Sequence, residues 1–267
     1  MYNSAFVKII IPIYKKELSK YEKKSLLQAY TVLNDHSIVV IKPQSLSLDF
    51  LLIEFPKLQF ESFEDAYFTS IMGYNRLMLS SEFYERFIDS TYILICQLDA
   101  YIFTDQLMHW CKQGYDYIGA PWILKPWNRY PLSRTVYAIK RTALQLLNRP
   151  NSSKTAFKVG NGGLSLRKVA THLEATVKLK NLIQEVYLTK EKKHLFNEDV
   201  FFATEVNNQG LNFKYPTYQE ALKFAFDKYP NECYKLNNEI LPFGCHSWYK
   251  RKMKEFWFPI IYPQTKA

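Results

Sequence analysis

Long apolar runs with almost no polar alternation recur in the first hundred residues of the chain. Residues 7–14, 37–41 and 92–97 consist mainly of aliphatic and aromatic side chains. A strand that is buried on both faces, as in the centre of a parallel sheet, has this pattern, whereas a half-exposed strand alternates. The pattern therefore predicts three interior strands, and residues 58–63 and 116–119 predict two more.

Stretches with helical spacing separate these strands. Residues 17–33 place apolar or aromatic side chains on one helical face, with lysines on the other. Residues 70–88 and 104–113 have the same character. A strand, a helix and a second strand in close succession form the βαβ unit, which has a right-handed crossover. The first half of the chain is therefore predicted to be an α/β structure.

The second half begins with a basic segment. Residues 125–158 contain many Lys and Arg residues but no acidic residue, and they include a helical pattern of their own. A long insert of this kind is either a lid or binding segment, or a solvated excursion on the surface. The α/β pattern then resumes with a predicted strand at 159–167 and predicted helices at 169–187 and 199–207.

Composition narrows the class of protein. The chain has 267 residues, 48% of them hydrophobic and 22% charged, which are ordinary values for a globular protein. The net charge of +10 favours polyanions, anionic membranes or phosphorylated small molecules as partners. No signal peptide or membrane-spanning stretch is evident, and the four cysteines show no disulfide or metal spacing. These features favour a reducing cytoplasm.

A single carboxylate, Asp99, follows the predicted strand at residues 92–97. Ligands of open α/β sheets bind beyond the carboxyl ends of the strands, and an unpaired carboxylate is costly to bury elsewhere. Asp99 is therefore the first candidate for contact with a ligand or a metal ion.

A glycine-rich run lies at the start of the predicted strand at residues 159–167. Gly160, Gly162 and Gly163 are three of only eight glycines in the chain. Glycine lets a ligand approach the backbone closely, so the run is either the edge of a binding cleft or a tight turn without a ligand. The G-x-G-x-x-G and P-loop patterns are absent. Trp122, after the predicted strand at 116–119, offers a flat face for a sugar or a base.

Two further motifs have chemical content. Glu198 and Asp199 follow Asn197 before an apolar segment, so they either favour a helix N-terminus or supply a general base for an acceptor hydroxyl. His246 lies beside Ser247 and just before the basic run that starts at Lys250. It either ligates a metal, contacts a diphosphate whose charge Lys250 offsets, or has a purely structural role.

The order of these motifs resembles a family of glycosyltransferases long catalogued as a domain of unknown function and found in glycan gene clusters. The blocks that carry the resemblance are GYNRLMLSSEFYERF, YILICQLDAYIF, GYDYIGAPW, VGNGGLSLR, NEDVFF and LPFGCHSWYK. More remotely, the chain is similar to GT-A nucleotide-sugar glycosyltransferases. Those enzymes have a D-x-D motif after a central strand, a glycine-rich acceptor-side strand, and an acid that opens a later helix.

The resemblance implies roles for individual residues. Asp199 corresponds to the catalytic general base of inverting members, with Glu198 beside it. The residues implied in donor binding surround the ends of the central strands: Ile11, Pro12, Tyr14, Arg76, Gln97, Asp99, Ala100, Tyr101 and Lys250. Those implied in acceptor binding are Trp122, Asn161, Gly162 and Gly163.

The resemblance also implies a metal cofactor, Mn²⁺ or Mg²⁺, with Asp99 and His246 as ligands. The chain departs from the family pattern here, because Tyr101 occupies the position of the second D-x-D acid. Hard cations require several oxygen ligands, so one carboxylate alone binds them weakly. Either His246 completes the site, or Asp105 contributes, or basic residues hold the diphosphate without a metal.

For the whole chain, we expect a single GT-A-like α/β domain with a mostly parallel, Rossmann-like mixed sheet flanked by helices. Its expected parts are a nucleotide-binding half (1–122), the basic insert (123–158), an acceptor and catalytic half (159–249) and a basic, aromatic tail (250–267). The expected activity is transfer of a sugar from a nucleotide-sugar donor to a hydroxyl of a glycan or lipid-linked saccharide.

The expected location is cytoplasmic, with peripheral contact between the tail and an anionic membrane at the inner face of the cell membrane; the alternative is a tail that packs on the domain. Two other classes of protein fit parts of the sequence. A non-catalytic glycan- or nucleotide-binding protein with a transferase-like fold would explain Tyr101. A basic nucleic-acid-binding protein would explain the charge, but no nucleic-acid-binding motif is present, and no nucleic-acid partner is expected.

Overall fold

The central sheet arises from the predicted apolar runs. In the computed structural model, which describes residues 6–124, 135, 155–189 and 197–263, a six-stranded sheet has the order β3-β2-β1-β4-β7-β6. The strands are β1 (Val7–Pro12), β2 (Ser37–Pro43), β3 (Gln59–Phe63), β4 (Tyr92–Cys96), β6 (Tyr117–Gly119) and β7 (Leu164–Lys168). The strands β1 to β4 pair in parallel, and β7 runs antiparallel to both β4 and β6. The predicted mixed α/β sheet is confirmed.

Burial on both faces explains why the central strands are continuously apolar. Along β4, Leu94 and Cys96 join one hydrophobic cluster, whereas Ile93 and Ile95 join the other. The first cluster contains residues of the helices α1 (Lys20–Val32), α2 (Leu51–Glu54), α5 (Leu107–Lys112) and α10 (Tyr218–Phe224). The second contains residues of α3 (Ile71–Met78), α4 (Ser81–Glu85) and α6 (Val169–Lys178). Helices therefore cover both faces of the sheet.

The helix predicted over residues 70–88 is wrong in its length, because α3 and α4 are separate helices. The Ser80 hydroxyl accepts a hydrogen bond from the Phe83 backbone N–H and so caps the start of α4. The helix predicted over 169–187 is also interrupted. After α6 the chain forms α7 (Lys180–Leu182) and then a π-helical turn, Ile183–Tyr187.

The helix predicted over 199–207 begins one residue earlier. It comprises α8 (Glu198–Val200), a π-helical turn (Phe201–Glu205) and α9 (Val206–Asn208). Asn197 precedes α8, but its side chain does not cap the helix; Oδ1 of Asn197 accepts a hydrogen bond from the side-chain amide of Asn75 instead. The Asn197 side chain therefore contacts α3 rather than the start of α8.

A second, three-stranded sheet has the order β5-β9-β8. Its strands are β5 (Tyr101–Ile102), β8 (Ala225–Phe226) and β9 (Gly244–Cys245), each only two residues long. The strand β9 pairs antiparallel with β5 and parallel with β8. This sheet lies next to the carboxyl end of β4, because only four residues, Gln97–Ala100, connect β4 to β5.

The C-terminal segment packs on this small sheet. After α11 (Pro230–Leu236) and β9, the helix α12 (Lys254–Ile261) places Trp257 in a third hydrophobic cluster, where it is 0% exposed. Phe256 and Phe258 pack against the same cluster. These contacts support the packed-tail alternative, because the aromatic side chains of the tail are engaged by the protein itself. Within the described residues, no helix has the length and apolar character needed to cross a bilayer.

Most of the predicted basic insert, residues 123–158, lies outside the described residues. The assignment of that segment as a lid or a surface excursion therefore stays a prediction.

Candidate active site at the carboxyl edge of the sheet

Asp99 lies beyond the carboxyl end of β4, between two cationic side chains. Its Oδ1 is 2.9 Å from Nε2 of His246, and its Oδ2 is 3.1 Å from Nζ of Lys250. Burial alone would raise the pKa of Asp99, but the charges of His246 and Lys250 hold it well below its usual range. Asp99 is therefore an ionised carboxylate that the fold holds in a fixed place.

The small sheet brings a second carboxylate to His246. The backbone N–H of His246 donates to the carbonyl of Phe226, which extends the β8–β9 pairing by one step. The next residue, Asp227, thereby comes alongside His246, and its Oδ1 is 3.1 Å from Nδ1 of the imidazole. Burial opposes ionisation of Asp227, but the contact with His246 lowers its pKa. His246 is thus held between Asp99 and Asp227.

Asp227 was absent from the residues that the sequence singled out. It follows the short apolar run Phe224–Phe226, and Asp99 likewise follows a strand. Both aspartates follow an apolar run, but a two-residue strand is too short to show the hydrophobic periodicity that identifies a strand in a sequence. The pairing of residues 227 and 246 is also a tertiary contact that local spacing does not encode.

His246 carries a positive charge at neutral pH. Burial lowers the pKa of an imidazole, but the carboxylates of Asp99 and Asp227 outweigh it and raise the pKa of His246 to about 10. The next residue, Ser247, has a backbone φ of 61°, a left-handed conformation that is strained for a serine. The Ser247 hydroxyl lies 3.1 Å from Nδ1 of His246 and accepts a hydrogen bond of 2.8 Å from Lys250 Nζ. His246, Ser247 and Lys250 therefore form one cationic corner.

The glycine-rich run passes between this corner and the acidic pair. A Cβ atom added to Gly163 would overlap Nε2 of His246, and one added to Gly162 would overlap Oε1 of Glu198. These glycines are required by close approach rather than by a left-handed backbone. Because Gly162 and Gly163 are consecutive, the fold brings His246 and Glu198 to the same short stretch of β-edge.

Glu198 belongs to a buried network. Its Oε1 accepts a hydrogen bond of 3.1 Å from Nη2 of Arg167, and both side chains are almost fully buried. Arg167 also donates to the hydroxyls of Tyr84 and Ser165, at 3.0 and 3.1 Å. The backbone N–H of Glu198 donates to Asn75 Oδ1. Glu198 therefore neutralises a buried guanidinium, which is a structural duty.

Asp199 has no such cation at hydrogen-bonding distance among the described residues. Its Oδ1 accepts a hydrogen bond of 2.7 Å from the Val200 N–H, and the Gly162 N–H also contacts the carboxylate. Burial, and then the charge of Glu198, raise the pKa of Asp199 well above its usual range. A carboxyl with a raised pKa beside the glycine-rich edge has the properties of a general base.

The residues implied in donor binding are only partly brought together. Tyr14 follows β1, is 58% exposed, and lies close enough to Tyr249 to affect its titration. Gln97 is half-buried, and its backbone N–H donates to the Gly163 carbonyl. Both lie at the same edge of the sheet as Asp99.

Other proposed donor residues lie in the core. Ile11 and Ala100 are each 1% exposed and pack in the first hydrophobic cluster. Pro12 is the last residue of β1 and is buried opposite Ile41. Tyr101 packs against Trp248, with ring centroids 5.8 Å apart, because β5 turns its side chain into the third cluster. In the described part of the chain, these side chains therefore pack in the core beneath the carboxyl edge of the sheet.

Two other charged candidates have contacts of their own. Arg76 is exposed on α3, where its charge acts on Tyr67. Asp105 pairs with His36, at 3.0 Å, and accepts a hydrogen bond from the Leu107 N–H. Of the arrangements considered for completing a metal site, the structure therefore favours His246 over Asp105.

The residues implied in acceptor binding belong to the glycine-rich run, except Trp122, which packs against it. The Trp122 ring lies so close to Gly160 that a Cβ atom there would overlap it. Asn161 has a φ of 56°, and its side-chain oxygen accepts a hydrogen bond of 3.1 Å from the Gly163 N–H. An asparagine tolerates this left-handed conformation better than most residues, which explains its place between two glycines.

The chemistry of Asp99 and His246 fits a divalent cation, although with few protein ligands. Two atoms bound to Mg²⁺ or Mn²⁺ at ~2.1 Å and at right angles lie about 3 Å apart, and Asp99 Oδ1 and His246 Nε2 are 2.9 Å apart. Among the described residues, Nε2 is a buried nitrogen without a well-directed hydrogen bond. No three His, Cys, Asp or Glu side chains of that part of the chain converge on one point. The protein would therefore supply two ligands.

Comparison with known structures identifies the fold. The galactosyltransferase LgtC in complex with donor and acceptor sugar analogues is 12% identical over 92% of this chain and 90% of its own, with a TM-score of 0.53. A glycosyltransferase involved in glycosylation of the major capsid of PBCV-1 is 12% identical over 93% of this chain and 96% of its own, with a TM-score of 0.50. The chain has the fold of GT-A glycosyltransferases.

A comparison of the sequence with protein families gave one match. Residues 57–246 match the family described as "Protein of unknown function (DUF5672)". This range includes Asp99, Gly160–Gly163, Asp199, Asp227 and His246. A search of curated proteins found no significant match.

Proposed function

This chain belongs to the DUF5672 family, and we propose that it is a glycosyltransferase. The proposed reaction moves a sugar from a nucleotide-sugar donor to a hydroxyl of a glycan or lipid-linked saccharide acceptor. The GT-A fold supports this class, because its structural neighbours are glycosyltransferases. The finer assignments of donor, acceptor and catalytic residues are argued from the site.

One observation carries the proposal. A fixed carboxylate, two cationic side chains and a carboxyl of raised pKa meet along the Gly160–Gly163 edge, where the parallel strands end. Open α/β sheets bind their ligands at this edge. His246 and Lys250 suit a diphosphate, Asp99 suits a metal ion that binds one, and Asp199 suits proton transfer.

The donor diphosphate would lie against Lys250 and His246. Lys250 Nζ now contacts Asp99 and Ser247, so it is close to the position of a phosphate that approaches Asp99. Charge-assisted hydrogen bonds from Lys250, and from protonated His246 when no metal ion is bound, would offset the negative charge that grows on the leaving diphosphate. When Mn²⁺ or Mg²⁺ is bound, Asp99 and the neutral imidazole of His246 would hold it, and the ion would supply this charge compensation. The exposed ring of Tyr14 offers a face to the base.

Asp199 would act as the general base. The acceptor oxygen would form a bond with the anomeric carbon of the donor sugar as the bond from that carbon to the diphosphate oxygen breaks. The hydroxyl proton would pass to the Asp199 carboxylate, and the nucleoside diphosphate would leave with the bonding electron pair. Attack from the face opposite the leaving group inverts the anomeric centre. Glu198 is less suited to this role, because Arg167 already occupies its carboxylate.

A lipid-linked acceptor would bring the protein to a membrane surface, and exposed residues near the site support this part of the proposal. Phe50, Leu52 and Ile53 are 43%, 37% and 89% exposed. Phe50 borders a groove after the carboxyl ends of β1 and β2, which Lys16 and Lys23 line together with Glu17 and Glu54; Leu52 and Ile53 follow Phe50 in α2. Apolar side chains beside lysines suit an anionic bilayer. The proposed location is therefore the cytoplasmic face of the cell membrane.

A screen of nucleotide sugars tests the proposal. Thermal unfolding would be followed with UDP-, GDP-, CMP- and dTDP-sugars, each with and without Mn²⁺. A ligand at a hundred times its dissociation constant adds about 2.7 kcal/mol to the free energy of unfolding, which raises the melting temperature by roughly 5 °C or more. Absence of a shift with every donor would refute the proposal. Binding without transfer or hydrolysis would favour the non-catalytic alternative.

A further inference from the structure

We infer that Asp227 is a positioning residue that fixes the imidazole of His246 toward Asp99 and the donor diphosphate. The inference deepens the proposed function and rests on it for its purpose. Its geometry, however, is independent of any reaction: Asp227 and Asp99 contact opposite nitrogens of one buried ring.

The distances define the clamp. Asp227 Oδ1 is 3.1 Å from Nδ1, and Asp99 Oδ1 is 2.9 Å from Nε2. Asp227 and His246 are 5% and 8% exposed, so solvent does not compete for Nδ1. The Ser247 hydroxyl is the other polar group near Nδ1, at 3.1 Å, and it already accepts a hydrogen bond from Lys250. An imidazole with a partner on each nitrogen has one orientation.

The small sheet is the element that enforces the clamp. The parallel pairing of β8 with β9 aligns Phe226 with Cys245, and the antiparallel pairing of β5 with β9 aligns Tyr101 with the same Cys245. Asp227 and His246 directly follow the Phe226–Cys245 pair, and Asp99 lies two residues before Tyr101, so Asp227 and Asp99 come to opposite sides of His246. A buried carboxylate is expensive unless it is paired, so packing alone does not account for Asp227.

This arrangement determines which nitrogen faces the ligand. Asp227 accepts a hydrogen bond from Nδ1–H, so Nε2 is the nitrogen on the side of Asp99 and Gly163. When it is protonated, Nε2–H can donate a charged hydrogen bond to a phosphate oxygen. When it is deprotonated, Nε2 offers the lone pair that a metal ion requires. A carboxylate behind a histidine supports metal ligation in the same way in other proteins.

The chain provides a matched control. Asp105 contacts His36 Nε2 at 3.0 Å, and this pair lies away from the site, beside α5. Asp105→Ala therefore removes an aspartate from a histidine without touching the proposed machinery. Asp227→Glu keeps a carboxylate at position 227 and serves as the conservative variant.

The test uses the full chain labelled with ¹⁵N-histidine. The proton on Nδ1 of His246 should give a downfield resonance that is protected from exchange in wild type, Asp105→Ala and Asp227→Glu, but is lost in Asp227→Ala. Inorganic diphosphate with Mn²⁺, titrated by calorimetry, should bind Asp227→Ala about 10–100-fold more weakly than wild type and Asp105→Ala. The conservative variant should recover part of this affinity.

Two results would overturn the inference: an Nδ1 proton that persists in Asp227→Ala, or diphosphate affinity within twofold of wild type in that variant. If Asp227→Ala does not fold, Asp227→Leu, which fills the space of the carboxylate without a hydrogen-bond acceptor, takes its place in the same two measurements. Failure of the proposed function has a separate signature. In that case the Nδ1 resonance depends on Asp227 as expected, but no nucleotide sugar is turned over by any of the proteins.

Discussion

Glu198 and Asp199 are adjacent in the chain, yet their carboxylates have different surroundings. Glu198 neutralises Arg167 in the core, whereas Asp199 receives backbone N–H groups and is held against a like charge. Burial without a cation destabilises an ionised carboxylate. The raised pKa of Asp199 therefore supports a catalytic role, and the ion pair of Glu198 with Arg167 supports a structural one.

Substitution should separate these two duties. Asp199→Asn should abolish most sugar transfer, by a factor of about 10²–10⁴, while the free energy of unfolding at pH 8 stays at or above the wild-type value. Glu198→Gln should lower the free energy of unfolding by about 3 kcal/mol, because it leaves Arg167 without a buried counter-ion. Turnover assays and urea unfolding at pH 8 measure both. Near-wild-type turnover in Asp199→Asn would remove this residue from the mechanism.

The raised pKa of Asp199 predicts the pH dependence of both properties. A general base must be ionised, so turnover should rise with pH through the raised pKa and have its acid limb above the range of an ordinary carboxyl. The stabilising effect of Asp199→Asn should grow as pH rises above the unfolded-state pKa of aspartate, ~3.9, and be complete above the raised pKa of the folded state. Below ~3.9 it should vanish, because both side chains are neutral. An acid limb near pH 4 would contradict the assignment.

Among the elements, the glycine-rich edge has the tightest steric demands. Gly163→Ala should displace the His246 ring, because the added methyl group would overlap Nε2. We expect donor binding at least tenfold weaker, measured by calorimetry. Gly210→Ala is the control, since Gly210 has open space around it and a φ of 84°. That variant should lose about 1 kcal/mol of stability and keep its donor affinity. Equal affinities in all three proteins would argue against a ligand at this edge.

The long strands and the residues at their ends are the part of the fold that the sequence indicates best. The long strands were predictable because burial on both faces makes β1, β2 and β4 continuously apolar. The structure brings Asp99, Gly162, Gly163, Asp199 and His246 to one edge of the sheet, because each terminates or opens an element there. Their catalytic roles stay predictions.

Other features needed the folded chain. The strands β5, β8 and β9 have two residues each, which is too short for a hydrophobic period. The sequence therefore indicated neither these strands nor Asp227, which follows β8. The resemblance to GT-A enzymes implied a place for Tyr101 at the donor, in the position of the second D-x-D acid. The pleat of β5 turns its ring into the aromatic cluster of Trp248 instead. Local spacing does not specify which face of a short strand is covered.

At the scale of the molecule, the exposed α2 region rather than the tail is the candidate for membrane contact. Trp257 is buried, whereas Ile53 is 89% exposed in the helix that follows Phe50, and Phe50 lines a groove with Lys16 and Lys23. The carboxyl edge of the sheet, which holds the proposed donor site, is on the same side as α2, because β1, β2 and β4 are parallel. Docking through α2 would therefore present the site to a bilayer.

Vesicle flotation tests this orientation. Wild type should float with phosphatidylcholine vesicles that contain phosphatidylserine, and much less with phosphatidylcholine alone or at high salt. Ile53→Asp should reduce recovery several-fold. Ile88→Asp is the matched control, since Ile88 is 59% exposed at the amino end of β4 and thus at the opposite edge. Equal recovery of both variants would refute docking through α2.

The central claim is that Asp99 holds an activated sugar donor at the end of β4. The most direct measurement is release of nucleoside diphosphate from the donor identified by the screen, with wild type and Asp99→Ala compared at equal concentration. We expect turnover by wild type and a turnover about 10²–10³-fold lower in Asp99→Ala, with a melting temperature that shows a folded protein. Equal turnover in the two proteins would contradict a role for Asp99 in holding the donor.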